Sequence, residues 1–532
     1  MASFAKPPCD AGVIRAAPPV APAASSAAPW VLAATILGSG MVFVDGTVVN
    51  VALPALQRDL GATLAEVQWV IESFALFLAA LLLAAGAAGD RFGRRRVFSL
   101  GTLIFALASV WCGFAQSPLE LIVARALQGI GGALLVPNSL AIISASFNDH
   151  ERGKAIGTWS GATAITAAIG PVLGGWLIDT VSWRAVFFIN LPLAAAVLAV
   201  AWWHVPESRN DEEQGSLDWP GAALATFGLG GLVYGLIEAP QRGWGSPDIV
   251  ATLAFGVLAL AAFVYVERHR PNPMLPLRLF GSRTFAGANL LTFFLYGALG
   301  GGLFFVPLNL IQVQGYSATA AGAALLPFIL LVFLLSRWAG GLVDTYGNRL
   351  PLVVGPLIAG LGYALFAIPS VGGSYWTTFF PGAFVLGLGM ATAVAPLTTT
   401  VMNSVESAFA GTASGINNAA SRVAALLAVA LFGAILTPIF NFSLDGALAN
   451  LNLPPAALEA IQAQRDKLAA IELPAEIDAA ARSVANEAIA SAFVSGYRWI
   501  MIISALCCVA SAVVAWLMID CRKQPVANSR EA

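Results

Sequence analysis

Fourteen apolar runs of about 20 residues divide this chain, and that is the length a helix rising 1.5 Å per residue needs to cross roughly 30 Å of hydrocarbon. They fall near 30–54, 64–88, 97–115, 119–146, 155–179, 185–203, 217–238, 248–266, 285–311, 319–343, 350–369, 376–402, 410–437 and 494–518. In lipid only helices or closed barrels satisfy the backbone, and none of these runs alternates with the period of two that a barrel strand requires. The expected fold is an all-α polytopic membrane protein. Composition agrees: charged residues make up 11% of the 532, against roughly 25% in soluble globules.

The loops carry the topology. Arg91, Arg94, Arg95, Arg96, Arg152, Lys154, Arg209, Arg268, Arg270, Arg278, Arg283 and Arg349 fall in alternate connections, whereas the opposite short loops hold Arg58, Arg184 and Arg242. The positive-inside bias makes the first set cytoplasmic, and an even span count places both termini there as well. The formal charge of −2 argues for no nucleic-acid partner; the bilayer itself is the first partner implied. Residues 1–29, rich in Ala, Pro and Ser, read as a disordered cytoplasmic tail, with a second tail at 519–532.

A turn at Gly86 to Arg96 places five charges between two apolar runs, and part of it recurs downstream. Gly340, Asp344 and Gly347 each lie 254 positions after Gly86, Asp90 and Gly93. The chain therefore reads as a duplication, a common plan among transporters. Six-span halves at 30–203 and 285–518 leave 204–284 for two additional spans. A polar insertion near 438–493, with helical stretches at 455–467 and 475–492, precedes the last span.

Charges inside the spans are costly enough to mark function. The candidates are Asp45, Glu72, Arg125, Arg337 and Arg422. At 1.5 Å per residue, Asp45 lies ~22 Å up its helix, Glu72 ~12 Å and Arg125 ~10 Å in from the outer end, so all three are expected to share the outer half of one bundle. Two carboxylates beside one arginine can hold a proton that responds to the contents of a cavity. His150, His204 and His269 all fall in loops, and Cys9, Cys112, Cys507, Cys508 and Cys521 show no metal-ligand spacing. Carboxylates are thus the expected proton carriers; no metal, cofactor or enzymatic site is expected, since neither a nucleophile elbow nor a phosphate loop is present.

Gly86, Asp90, Arg91, Gly93, Arg94, Asp344 and Gly347 form a candidate latch between the halves, the glycines allowing backbone contact and the acids engaging a helix end or an arginine. Gly161, Gly170, Pro171, Gly174 and Gly175 give the fifth span small residues for close packing and a proline that permits a kink. Asn50, Trp69, Gln128, Tyr296, Asn417 and Arg422 are candidate lining residues of a substrate cavity.

These motifs resemble the fourteen-helix drug:proton antiporters of the major facilitator superfamily over nearly the whole chain. Asp45 to Pro54 is similar to that family's first-helix motif, Gly86 to Arg96 to the superfamily loop motif, Arg125 to Gly131 to its fourth-helix motif, and Gly161 to Gly175 to the antiporter motif. Trp183 to Pro192 is similar to a segment frequent in this branch. The resemblance implies two six-helix bundles with two extra central helices. It also implies that Asp45 couples to protons, that Arg125 is its electrostatic partner, and that Gly170 and Pro171 belong to a hinge. The implied activity is export of small lipophilic or cationic compounds across a cytoplasmic (inner) membrane. A metabolite, nutrient or lipid transporter on the same scaffold stays open, as does a periplasmic adaptor recruited through 438–493. Ala88, Gly89, Thr345 and Asn348 depart from the loop motif, and Glu72 is not a family-wide position.

Overall fold

The computed structural model describes residues 27–209, 218–270, 273–406, 409–449, 451 and 453–520. Most of the two expected tails, with Cys9 and Cys521, lies outside the described residues, as do the side chains of His150, Arg337 and Asp344. Among the described residues fourteen helical segments are long and apolar enough to cross a membrane, the sixth and tenth when taken together with the short helices that precede them. They are α1 (Ala28–Leu60), α2 (Leu64–Phe92), α3 (Arg94–Phe114), α4 (Pro118–Ser146), α5 (Asp149–Thr180), α6 (Asn190–His204), α7 (Trp219–Arg242) and α8 (Pro247–His269). The rest are α9 (Arg283–Leu308), α10 (Leu326–Gly340), α11 (Arg349–Phe366), α12 (Phe380–Asn403), α13 (Ala410–Leu448) and α14 (Ala479–Met518). Short helices Ala185–Phe188 and Ala318–Ala323 lead into α6 and α10.

The duplication is visible in the packing. In the first half α1 packs on α5 and α6, and α4 on α2 and α3; in the second, α9 packs on α13 and α14, and α12 on α10 and α11. The correspondence reaches single atoms at the helix crossings. A methyl group added to Gly131 on α4 would come within 2.6 Å of Phe105 N and 2.9 Å of Gly101 O on α3. One added to Gly389 on α12 would come within 2.3 Å of Ala359 N and 2.7 Å of Gly355 O on α11. Gly355 lies 254 positions after Gly101, the same offset as in the loop repeat. Without a hydrophobic force between helices in lipid, such backbone-to-backbone approach supplies the dispersion contacts that hold bundles together.

The two additional helices are not simple spacers. α7 lies against both α2 and α13, where Leu229, Val233 and Ile237 are buried with Leu76, Leu426 and Ala430. α8 packs on α7 through Gly228, Gly231 and Gly256 and otherwise presents Phe255, Leu258 and Tyr265 outward.

The insertion is shorter than its hydropathy suggests. α13 continues through Asn441 and Asp445 to Leu448, and α14 starts at Ala479, capped by the Asp478 carboxylate. Hydropathy locates where a helix leaves hydrocarbon, not where it ends: the 39 residues of α13 span about 58 Å at 1.5 Å each. Between these helices a helix at Pro455–Ala463 gives way to a 3-10 turn at Arg465–Ala470, rather than one helix over 455–467. Leu468 in that turn has φ of 52° and is buried to 1% exposure. It is the one described non-glycine residue in the left-handed region, a strain its apolar burial offsets.

Gly131→Leu and Gly389→Leu are each expected to destabilise the purified protein by ~1–3 kcal/mol, because the bulk has no room except by moving backbone. Gly245→Ala, where an added methyl meets nothing within 4 Å, should leave the melting temperature unchanged. Thermal unfolding followed by tryptophan fluorescence checks all three.

Candidate functional site

Asp45 is placed by α1 in the interior of the first bundle, 1% exposed. Its carboxylate forms an ion pair with Arg125 of α4, accepts from Gln128 Nε2 at 2.8 Å, and accepts from Asn190 Nδ2 of α6 at 3.2 Å. Ser109 of α3 accepts from both Gln128 and Asn190. Cys112 Sγ lies 3.7 Å from Gln128 Oε1, so it borders the network rather than filling space elsewhere. Arg125 also donates from Nε to the Val70 carbonyl of α2 at 3.1 Å and stacks over Phe74 at 4.2 Å. Five helices therefore meet at one fully desolvated ion pair. The sequence pointed to Asp45 and Arg125 through the cost of burying charge; it did not reveal Asn190 and Ser109, which are neutral and become meaningful only once the helices are assembled.

Glu72 does not join that network. It projects from α2 into a cavity of about 550 Å³ between the halves, whose wall includes Asn50, Pro171, Tyr296, Phe304, Leu325 and Phe333. Among the described residues lining it, Glu72 alone carries a charge, and its Oε2 has no hydrogen-bond partner. The expected single cluster of two carboxylates and an arginine is corrected to two places, an ion pair within a bundle and a lone carboxylate in the cavity. The reason is side-chain direction: depth along a helix says nothing about which face a residue occupies.

The candidate lining residues divide similarly. Asn50 and Tyr296 are in the wall. Trp69 instead packs against Tyr234 of α7, ring centroids 6.2 Å apart, and Gln128 belongs to the Asp45 network. Asn417 donates to Asn289 Oδ1 and Thr292 Oγ1, joining α13 to α9. Arg422 is half-buried and outside the wall, one turn along α13 from the lining residues Ala425 and Leu426.

The fifth-span glycines act as contact surfaces in an unbroken helix. Gly170 and Gly174 close on Thr47 and Val48 of α1, while Gly175 closes on the Ala318 and Thr319 backbone of the second half. Gly322 meets the Pro171 carbonyl in return. Beside them Asp179 accepts from Ala318 N at 3.1 Å, Thr319 N at 2.9 Å and Thr319 Oγ1 at 2.6 Å, capping the helix that leads into α10. Gln57 adds a second tie, accepting from Gln312 and donating to the Lys467 carbonyl. These contacts join the halves on the face opposite the arginine-rich loops, and the cavity begins directly beneath them. Gly161 has open space around it.

The Asp90 turn is tied to its own half and to the chain that follows α6. Asp90 pairs with Arg94 at 2.7 Å, Gly93 turns the chain at φ 105°, and Glu207 accepts from Arg95 N at 3.0 Å. Arg91 lies 5.5 Å over the Phe92 ring, and an added methyl at Gly86 would lie 3.7 Å from Pro137 of the same half. Gly347 ends its short helix at φ 76°, repeating the turn in the second half.

The sequence matches the Major Facilitator Superfamily over residues 35–429. The chain belongs to the major facilitator superfamily. It is 32% identical over 491 residues to the tetracenomycin C resistance and export protein of Streptomyces glaucescens, covering 92% of this chain and 91% of that protein. It is 35% identical over 415 residues to the multidrug resistance protein Stp of Mycobacterium tuberculosis (strain CDC 1551 / Oshkosh), covering 78% and 77%. A solved structure of a bacterial homolog of the human lysosomal transporter Spinster, inward-facing and unoccupied, superposes with a TM-score of 0.65 at 20% identity, covering 93% of this chain and 97% of that one. The chain is thus a membrane transporter and not an enzyme, with relatives that include drug-resistance and antibiotic-export proteins.

Arg125→Leu is expected to destabilise this transporter by ~3–5 kcal/mol, since it strands the Asp45 charge in the bundle. The double variant Asp45→Leu/Arg125→Leu should recover much of that loss, because neither charge is then left unpaired. Thermal unfolding of the three proteins measures the difference.

Proposed function

We propose that this protein is a proton-coupled antiporter of the cytoplasmic membrane that exports lipophilic cations by alternating access, with its arginine-rich loops in the cytoplasm. The observation that carries this reading is Glu72, a carboxylate with an unpartnered oxygen and the one charged group among the described residues lining a largely apolar cavity between two halves. An unpaired ionised carboxylate in such a wall costs several kcal/mol, and either a proton or a cationic ligand removes the cost. The two occupants therefore exclude one another, and mutual exclusion is what antiport needs. The apolar remainder of the wall suits a lipophilic body attached to the charge.

The Asp45 pair supplies a second station. Protonating Asp45 would release Arg125, and Arg125 holds the Val70 carbonyl two residues before Glu72 on the same helix. A proton at the pair thus acts on the backbone that aims the cavity carboxylate. Each proton moving inward supplies ~2.3 kcal/mol per 100 mV of membrane potential. The seal at Gly175, Asp179 and Gln57 is the exit gate in this reading, and the cavity below it takes cargo from the cytoplasmic side.

In proteoliposomes with an imposed pH gradient, Glu72→Gln is expected to reduce gradient-driven movement of tetraphenylphosphonium at least tenfold, and Asp45→Asn to uncouple movement from the gradient. Undiminished transport in both variants overturns the mechanism. Binding carries its own sign: cation and proton compete for Glu72, so affinity for tetraphenylphosphonium should fall as pH is lowered, and binding should release protons into weakly buffered solution. Glu72→Gln should remove both effects, as read by isothermal titration in buffers of different ionisation enthalpy.

A further inference from the structure

The two additional helices carry a pair of carboxyl groups that no part of the transport reading uses. Asp218 precedes α7 and Glu267 lies in the last turn of α8, so the open ends of this hairpin meet on the arginine-rich face. The two residues are 7% and 2% exposed. Asp218 Oδ1 is engaged twice: it accepts from Gly221 N at 2.9 Å, which caps α7, and pairs with Arg270 Nη1 at 2.8 Å. Glu267 Oε2 accepts from Leu275 N at 2.7 Å, holding the connection that runs through a 3-10 helix at Leu277–Gly281 into α9. The remaining oxygens, Asp218 Oδ2 and Glu267 Oε1, have no hydrogen-bond donor. They converge: a methyl added to Gly221 would lie 2.6 Å from each, and the two carboxyl groups are within hydrogen-bonding reach of one another.

Two acceptors that converge with no donor between them describe a site for a proton. Ionised together they would repel in a place shielded from water, with one arginine to balance two charges, and a single retained proton satisfies both oxygens. The helix ends decide which residue keeps it. Asp218 sits at the N-terminus of α7, where unpaired backbone N–H groups favour an anion, whereas Glu267 sits among the last carbonyls of α8, which disfavour one. Among the described residues the surrounding charges supply no second counter-ion. Arg268 and His269 are exposed, and His269 Nδ1 lies 2.8 Å from the Tyr265 carbonyl of its own helix. Arg278 stacks over Phe409, and Glu406, before α13, is exposed. On α2, Asp90 pairs with Arg94 and Arg91 lies over Phe92; on α13, Arg422 is ~18 Å along the helix from Ala410. Glu238, Arg242 and Asp248 form their own group at the far end of the hairpin.

We propose that Asp218 and Glu267 hold one proton between them, Glu267 Oε1 donating to Asp218 Oδ2, and that this proton fastens the open end of the α7–α8 hairpin to the connection entering the second half. Lost to an alkaline solution on the arginine-rich face, it leaves two like charges together and the junction loosens. Because α7 lies against both α2 and α13, the site links the pH on that face to a helix that touches both halves. It is independent of Glu72 and of the nature of the cargo.

The test uses the full-length protein in lipid nanodiscs, in a Glu72→Gln background so that the cavity carboxyl contributes nothing. Infrared spectra are expected to show the C=O stretch of a protonated carboxyl group at about pH 7, where an unpaired Glu is ionised, and to lose it by about pH 9. Glu267→Gln should remove that band. Asp218→Asn, which keeps the cap of α7, should remove it at about pH 7 as well, because the new amide donates to Glu267 and lets it ionise. Hydrogen exchange across 273–282, corrected for the intrinsic rate, should speed up at least tenfold between the two pH values in the parent and stay constant in Glu267→Gln, whose neutral amide keeps both bonds. Absence of the band in the parent, a band that survives either substitution, or exchange with the same pH dependence in the parent and Glu267→Gln would overturn the shared proton.

Discussion

The ion pair of Asp45 with Arg125 organises the first half of the molecule. Two charges removed from water are tolerable when hydrogen-bonding groups surround them; here partners come from α2, α4 and α6, with Ser109 of α3 behind them, while Arg125 Nη2 and Asn190 Oδ1 have none. Ser109, Gln128, Asn190 and the Val70 carbonyl are thereby fixed at one point. The remainder of the bundle can rely on apolar contact and glycine crossings because this polar centre sets which helix lies next to which. The second half has no charged counterpart at the corresponding interface among the described residues; Asn417, Asn289 and Thr292 join α13 to α9 with neutral groups. The two copies of this interface have thus diverged, one lobe holding a buried ion pair there and the other amide and hydroxyl groups.

Separation of Asp45 from Glu72 divides two demands that conflict in a single carboxylate. A residue satisfied by three donors is held in position but is poorly available to cargo, whereas one left without a partner is available but costly to ionise. α2 links them, since its Val70 carbonyl touches Arg125 and its Glu72 enters the cavity. A short stretch of one helix therefore lies between the polar centre of a bundle and the space between bundles.

Much of this was legible in the sequence because the bilayer enforces simple rules. Span length gave the fourteen helices, the cost of buried charge singled out Asp45, Glu72 and Arg125, and the equal displacement of Gly86, Asp90 and Gly93 gave the duplication, which Gly101 and Gly355 repeat at atomic detail. What was hidden depends on direction around a helix axis. Asp45 and Asn50 share α1, yet one points into the bundle and the other into the cavity; Trp69 and Glu72 share α2, yet Trp69 meets α7. The glycines of α5 show a related ambiguity: absence of a side chain is equally suited to bending and to close contact, and only Ala318 and Gly322 on the partner element reveal that contact was their use. The ends of α13 and α14 were misjudged because polarity marks the water boundary, beyond which a helix can continue.

The segment between α13 and α14 belongs covalently to the second lobe, yet its 3-10 turn at Arg465–Ala470 also rests on α1 and α2. Buried Leu468 and the Gln57 amide bond to the Lys467 carbonyl anchor it there. Being tethered at both ends to one lobe, it would travel with that lobe, so any parting of the two lobes on this face would strip the turn from Gln57 and from its packing on α1 and α2. The left-handed residue would then keep only its packing on α13 and α14 as compensation. A turn of this design behaves as a spring-loaded clasp, whose closing is driven by apolar burial and whose opening recovers conformational strain.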